Sequence, residues 1–194
     1  MAAGPLPRLF YARDSRVVAP ELLNKLLVRG ERIGRIVEVE AYCGPEDPGS
    51  HAFRGETPRN ATMFGPPGRL YVYFTYGMHH CSNVVCGKEG EATAVLLRGL
   101  DVVDGLEEMR AAYPGSRPDR DLCRGPARLC RAFGIDRSFD GADLVGGDRG
   151  LLVLDDGTPP PEVPAVGPRI GLSAGAELPW RFSVPGAPGV SRPA

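Results

Sequence analysis

The chain is predicted to fold as one α+β domain: a compact unit with a mixed, mainly antiparallel curved sheet, surrounding helices and one protruding β-hairpin. Three observations predict this. At 194 residues the chain is long enough for a single domain with a sizeable core and short for two. Strand-like stretches dominate its first half and capped amphipathic stretches its second, with no internal repeat and no boundary that would divide residues 1–194. Its 26 glycines and 20 prolines make up nearly a quarter of the residues, which places many turns around a packed core.

The elements follow in order. Asp14 or Ser15 caps a short helix in which Val17, Val18, Leu22 and Leu23 recur at helical spacing. Pro20 fits only near the start of such a helix, and Asn24, which tolerates a left-handed backbone, ends it. Residues 26–28, a charged turn over 30–32 and residues 33–42 read as a β-hairpin. Residues 44–68 have little periodicity and many Gly, Pro and Asn, so a long irregular segment lying on the surface is expected there, of the kind that carries function or is disordered. Residues 70–74, 84–86 and 93–98 have strand composition, with turns at Gly77 and at 87–90. Asp104 is placed to cap a helix carrying Leu106, Met109 and Tyr113; Gly125 and Pro126 open another, through Leu129 and Phe133, that stops at Gly134. Residues 151–154 and 181–184 read as further strands, joined by the proline-rich stretch 159–168.

Composition excludes several classes. No apolar run approaches the roughly 18 residues of a membrane span, and residues 1–16 carry three arginines without the apolar stretch of a leader, so a soluble, cytoplasmic protein is expected. Cys43, Cys81, Cys86, Cys123 and Cys130 are odd in number and form no C-x-x-C, which predicts buried or inert thiols. His51, His79 and His80 lack carboxylates at ligand spacing, so no metal is expected. Phosphate-loop, dinucleotide and serine-hydrolase motifs are absent too.

The balance of 23 Lys and Arg against 24 Asp and Glu gives −1, which taken alone argues against a nucleic-acid partner. The charge is segregated, however. Between residues 54 and 88 Arg54, Arg59, Arg69 and Lys88 face only Glu56, and residues 110–137 hold seven arginines against three aspartates. Basic residues interleaved with aromatics suit a nucleic-acid backbone with exposed bases.

Two stretches can carry chemistry. The alternation in residues 36–42 sets Val37, Val39 and Ala41 on one face and Glu38, Glu40 and Tyr42 on the other. That second face is either a solvated surface opposite Lys or Arg, or a site with two carboxylates and a phenol. Residues 71–76 hold three of the chain's six tyrosines; Tyr71 and Tyr73 share a face, while Gly77 permits a turn that lifts Tyr76 to a hairpin tip. An aromatic there is an aggregation hazard, a partner contact, or a wedge driven between stacked bases.

The ordered motifs Gly34-Arg35-Ile36-Val37-Glu38-Val39-Glu40-Ala41-Tyr42, Gly44-Pro45-Glu46-Asp47, Thr57-Pro58-Arg59-Asn60, Leu70-Tyr71-Val72-Tyr73 and Tyr76-Gly77-Met78 resemble those of the alkyladenine (3-methyladenine) DNA glycosylases, also called methylpurine glycosylases. The likeness continues through Val95-Leu96-Leu97-Arg98, Leu122-Cys123 and Gly125-Pro126 to Pro168-Arg169-Ile170-Gly171 and Trp180-Arg181-Phe182, and so covers nearly the whole chain.

The resemblance implies a monomeric base-excision enzyme without cofactor, acting on double-stranded DNA that contains damaged purines. Such an enzyme flips its target nucleotide and fills the gap. By the match, Tyr76 is the wedge, the flipped base stacks between Tyr42 on one side and His51 and Tyr73 on the other, and Asn83 clashes with a guanine 2-amino group. Glu40 matches the general base that activates a water for attack on the sugar, and Arg98 the residue that holds water and carboxylate in register and keeps Glu40 ionised. Arg54, Thr57, Arg59 and Met63 match contacts to the DNA backbone, with Glu56 standing where relatives often carry a basic residue. No lysine matches a catalytic role, which implies hydrolysis to an abasic site without strand cleavage. Two other readings remain: a non-catalytic sensor of lesions or abasic sites, against which Glu40 and Arg98 together argue, and an RNA-binding or formyltransferase-like module, against which the pocket residues argue.

Overall fold

Long strands set the frame of this protein, whose computed structural model describes residues 3–75 and 77–192. In chain order the elements are β1 (Gly4–Pro5), α1 (Arg8–Tyr11), α2 (Ser15–Leu22), β2 (Leu26–Arg29), β3 (Arg32–Cys43), β4 (Leu70–Thr75), β5 (His79–Cys86), β6 (Thr93–Asp104), α3 (Leu106–Ala111), α4 (Pro126–Phe133), β7 (Leu151–Asp155), β8 (Ala165–Gly167) and β9 (Arg181–Ser183). The strands form one sheet in the order β1-β7-β2-β3-β6-β5-β4, with β9 added to β3 and β8 to β9. Every pairing among the described residues is antiparallel, so the parallel component that a mixed sheet allows is not used.

β3 is the hinge of this arrangement. One of its flanks pairs with β6 along nearly its whole length. The other is shared: residues 32–35 pair with β2 and residues 38–40 with β9. Register irregularities against β6 fall at Ile33/Gly34 and on both sides of Glu38. Extra residues of this kind bend a strand and increase its twist, and here the sheet curls into a half-barrel. Val39 and Ala41 enter the main core, where Leu22 of α2, Leu97 of β6 and Leu129 and Phe133 of α4 are buried with them. The sheet–helix core expected from the sequence is thus present.

Local chemistry explains most boundaries. Asp14 caps α2 by accepting from the Arg16 N–H at 2.8 Å, and Asn24 takes the left-handed backbone (φ 68°). Pro20 lies in the last turn of α2 rather than near its start; it forfeits the hydrogen bond its N–H would have made to the Arg16 carbonyl, and the helix ends two residues later. α4 opens with Pro126 and closes on left-handed Gly134, as expected. At α3 the cap is left-handed Gly105 in place of Asp104, whose carboxylate instead accepts from the Gly105 N–H at 2.8 Å; Tyr113 falls beyond the helix. β5 begins at His79 and β6 runs to Asp104, both longer than composition alone marks out.

The segment 44–68 departs from expectation more instructively. It does not merely lie on the surface: Ala52 and Met63 are buried with Tyr71, Val85, Ala92 and Ala94 in a second, smaller core. All five cysteines are buried and unpaired. Among the described residues no helix is long and apolar enough to cross a membrane.

Candidate active site

Glu38 and Glu40 leave the same face of β3, and neither is exposed to solvent. The solvated-face alternative is therefore overturned. Burying two carboxylates is tolerable only if each is paired and hydrogen-bonded, and both needs are met by residues distant in sequence. Arg98 of β6 reaches Glu38 Oε1 with Nε at 3.3 Å and Glu40 Oε1 with Nη1 at 3.2 Å. Arg181 of β9 adds a second cation to Glu38 at 3.2 Å.

Glu40 has two further donors. The Ile170 N–H donates to its Oε1 at 2.7 Å and the Tyr42 hydroxyl to its Oε2 at 2.9 Å. A carboxylate offers about four acceptor positions; on Glu40 these two hydrogen bonds fill one on each oxygen, and Arg98 adds its charge as an ion pair. Burial pushes the Glu40 carboxyl above its ordinary range; Arg98, the Ile170 N–H and the Tyr42 hydroxyl pull it back, and the charge of Glu38 adds to the push. Arg98 thus acts in the direction expected, but burial outweighs it. Tyr42 is itself driven upward by burial and by Glu40, so it remains a neutral phenol that donates.

In front of these groups lies a cavity of about 340 Å³, walled by Tyr42, His51, Met63, Tyr71, Tyr73 and Asn83 and reached by Arg98, Pro126 and Ile170. Glu40 does not line it directly, but all three of its partners do. The sheet supplies one wall because β4 and β5 pair with Tyr71 opposite Asn83 and Tyr73 opposite Cys81. Tyr73 packs edge-on to His51, ring centroids 4.5 Å apart, and the Tyr71 hydroxyl lies 3.1 Å from His51 Nδ1. Burial and the nearby Arg59 pull His51 below the usual imidazole range, which favours the neutral ring. Asn83 is buried and donates to the Tyr71 carbonyl at 3.3 Å. The volume lies near the lower bound of small-molecule sites, roughly 300–1,000 Å³, and aromatic faces favour a flat ring system.

The opposite wall belongs to the segment 44–68 and rests on residues that sequence reasoning did not single out. Asn60 is buried and serves as a clasp: its Oδ1 accepts from the Thr57 N–H at 2.6 Å and Thr57 Oγ1 at 3.0 Å, while its Nδ2 donates to the carbonyls of His51 and Gly55. Asp47 and Arg169 form a fully buried bidentate pair at 2.5 and 2.7 Å. The Arg169 guanidinium stacks on the far side of the site against both Tyr42 (4.6 Å to the ring centre) and Trp180 (5.0 Å). The motif 168–171 was visible in the sequence, but the 122-residue separation of Asp47 and Arg169 hides the pairing.

The other expected contacts divide. Arg54, Thr57 and Arg59 are exposed on the loop beside the cavity, with Arg59 6.0 Å from the Tyr73 ring centre. Met63 is buried in the cavity wall, a place suited to touching a base rather than a phosphate. Tyr76 lies outside the described residues. Of the arginines in 110–137, Arg110 is committed to Glu107 and Asp119, Arg137 donates to the Val72 carbonyl of β4, and Arg124 and Arg128 stand with Arg192 around a separate recess at the start of α4, which shares Pro126 with the cavity.

A sequence profile of the methylpurine-DNA glycosylase family matches residues 9–188. A protein of Burkholderia lata is 60% identical over 189 residues, covering 97% of this chain and 91% of its own length. One from Streptomyces avermitilis is 52% identical over 193 residues (96% and 91%), and one from Carboxydothermus hydrogenoformans 50% identical over 182 (91% and 93%). Each of the three carries the provisional name 3-methyladenine DNA glycosylase.

Proposed function

The chain belongs to the methylpurine-DNA glycosylase family, DNA-repair hydrolases acting on N-glycosyl bonds, and from that premise we propose that it flips damaged purine nucleotides out of duplex DNA and hydrolyses their glycosidic bond, leaving an abasic site in an uncut strand. The substrates are 3-methyladenine and related alkylated purines, with deaminated and etheno purines as further candidates, and the enzyme acts as a monomer.

The observation that carries this reading is Glu40, buried behind an aromatic cavity with two hydrogen-bond donors and the Arg98 cation fixed on it. A water held against Glu40 gives it a proton and attacks C1′, as in inverting glycosidases, while the C1′–N bond breaks with its electron pair leaving on the damaged purine and the carboxylate offsets the positive charge developing on the sugar. A carboxyl whose proton affinity is raised is a better base for this step than an ordinary one. Tyr42 and the His51–Tyr73 pair stack on the flipped base, worth roughly 1–3 kcal/mol per base. Asn83 opposes the 2-amino group of guanine, and Tyr76 fills the gap left in the duplex. Arg54, Thr57 and Arg59 contact phosphates.

Release of 3-methyladenine from methylated duplex DNA, abolished in Glu40→Gln while duplex binding persists, supports the reading. Retained excision by that variant overturns the mechanism, and tight binding without release by the unaltered protein makes it a lesion sensor. Excision kinetics on oligonucleotides carrying one lesion each rank the substrates and test Asn83, and alkali-dependent cleavage of the product strand tests whether an abasic site is left intact.

A further inference from the structure

Glu38 is as deeply buried as Glu40 and shares its strand face, but the excision chemistry makes no use of it. Its Oε1 accepts from Arg98 Nε at 3.3 Å and from Arg181 Nη1 at 3.2 Å; its Oε2 accepts from the Ser191 N–H at 2.6 Å. Ser191 also accepts from Arg98 Nη2 through its hydroxyl at 3.3 Å. Each nitrogen of the Arg98 guanidinium therefore has its own partner: Nε on Glu38, Nη2 on Ser191 and Nη1 on Glu40. A planar guanidinium held at three nitrogens has one orientation, and two of these anchors lie outside the cavity.

The anchors are themselves tied down. Segment 184–192 runs along the sheet beside Arg98: the Val184 N–H donates to the Val37 carbonyl at 2.9 Å, the Gly189 N–H to Asp101 Oδ1 at 2.6 Å, and Arg124 Nε to the Val190 carbonyl at 2.9 Å. Arg181 closes the loop by donating to the Arg192 carbonyl at 2.9 Å. Gly99, next to Arg98, permits this approach, since a Cβ there would collide with the Gly189 carbonyl.

We propose that Glu38 and Ser191 are positioning residues for base excision, acting through Arg98 on Glu40, so that segment 184–192 is a working part of the active site. The proposal rests on Glu40 being the general base. The charged and titratable groups that bear on Glu40 are Arg98 of β6, Glu38 and Tyr42 of its own strand, Tyr73 of β4, Cys81 of β5 and Arg169 beyond β8. Among them Glu38 is the one other carboxylate. Neutralising it removes a repulsion and leaves Arg98 to Glu40 alone, so both changes ease ionisation of Glu40. Removing the Ser191 hydroxyl changes no charge and only loosens Arg98; displacements of about 1 Å near a reacting centre cost on the order of 100-fold in rate.

The test is single-turnover release of 3-methyladenine from methylated duplex DNA across pH, with duplex affinity measured in parallel, for the unaltered protein, Glu40→Gln, Glu38→Gln, Ser191→Ala and Ser191→Thr. Expected are a roughly tenfold slower release by Ser191→Ala at unchanged duplex affinity, recovery in Ser191→Thr, and an acid limb about one pH unit lower in Glu38→Gln. If the unaltered protein releases base and Glu40→Gln does not, wild-type rates and profiles in both Glu38→Gln and Ser191→Ala overturn the proposal. Should Glu38→Gln fail to fold, the two Ser191 variants decide alone. Retained release by Glu40→Gln overturns instead the reading of Glu40 on which the proposal rests.

Discussion

The two walls of the cavity are built on different principles. The sheet wall places Tyr42, Tyr73, Asn83 and Arg98, with Glu40 behind them, on four neighbouring strands whose ladder hydrogen bonds set the backbone, while a buried ion pair joins Glu40 to Arg98. The loop wall carries His51, Met63, Arg54, Thr57 and Arg59 on a segment with only short 3₁₀ turns of regular structure, held by one asparagine clasp and one buried salt bridge. Groups that must meet a reacting atom need sub-ångström placement, which strands provide. Groups that meet a base or phosphate tolerate more freedom, and a loop suffices.

This contrast can be broken from either side. The largest effect belongs to the sheet wall: Glu40→Gln should lower the excision rate about 10²–10⁴-fold or more, the range of positioned general bases, with the thermal transition still cooperative and duplex binding retained. Next comes Asp47→Asn, which strands the Arg169 guanidinium without its buried partner and should cost about 3–5 kcal/mol in urea unfolding. Since Arg169 also backs the Tyr42 ring, this variant should damage the sheet wall through the loop wall.

A smaller effect separates the walls cleanly. Asn60→Ala removes the clasp and should raise amide exchange across residues 51–60, leaving β3 and β6 protected; an equal loss of protection in the strands would show the two walls to be one cooperative unit. The pH profile sharpens the chemistry. As the proposed general base Glu40 acts only when ionised, and burial places its proton affinity above the ordinary carboxylate range. Excision should therefore fall off with acidification at a pH higher than the ~4.3 of a free glutamate, and a limb at or below that value would contradict the buried geometry. The mildest change is Arg59→Ala, expected to reduce the slope of log affinity against log salt by about one while leaving single-turnover excision at saturation nearly intact.

What could be read from the sequence follows the same division. Alternation identified the face bearing Glu38, Glu40 and Tyr42, and Gly125, Pro126 and Gly134 marked both ends of α4, because these signals lie within a few residues of one another. Whether that face was wet or buried could not be read there. The answer depends on Arg98 and Arg181, 60 and 143 residues from Glu38. The loop wall was legible only as an absence of periodicity, since its order comes from Asn60 and from Asp47 meeting Arg169 across the chain. The strand β8 was also missed, because its three residues sit between Pro164 and Pro168 and read as part of the proline-rich connection.

The burial of all five cysteines has a chemical consequence of its own. Thiolates, not thiols, are the nucleophiles that electrophiles capture. Burial raises each of these thiols, Cys123 and Cys130 to about 12, which favours the un-ionised form at neutral pH. Methylating agents that damage DNA also consume exposed thiolates in proteins. The five buried, un-ionised thiols of this chain offer such agents little to capture.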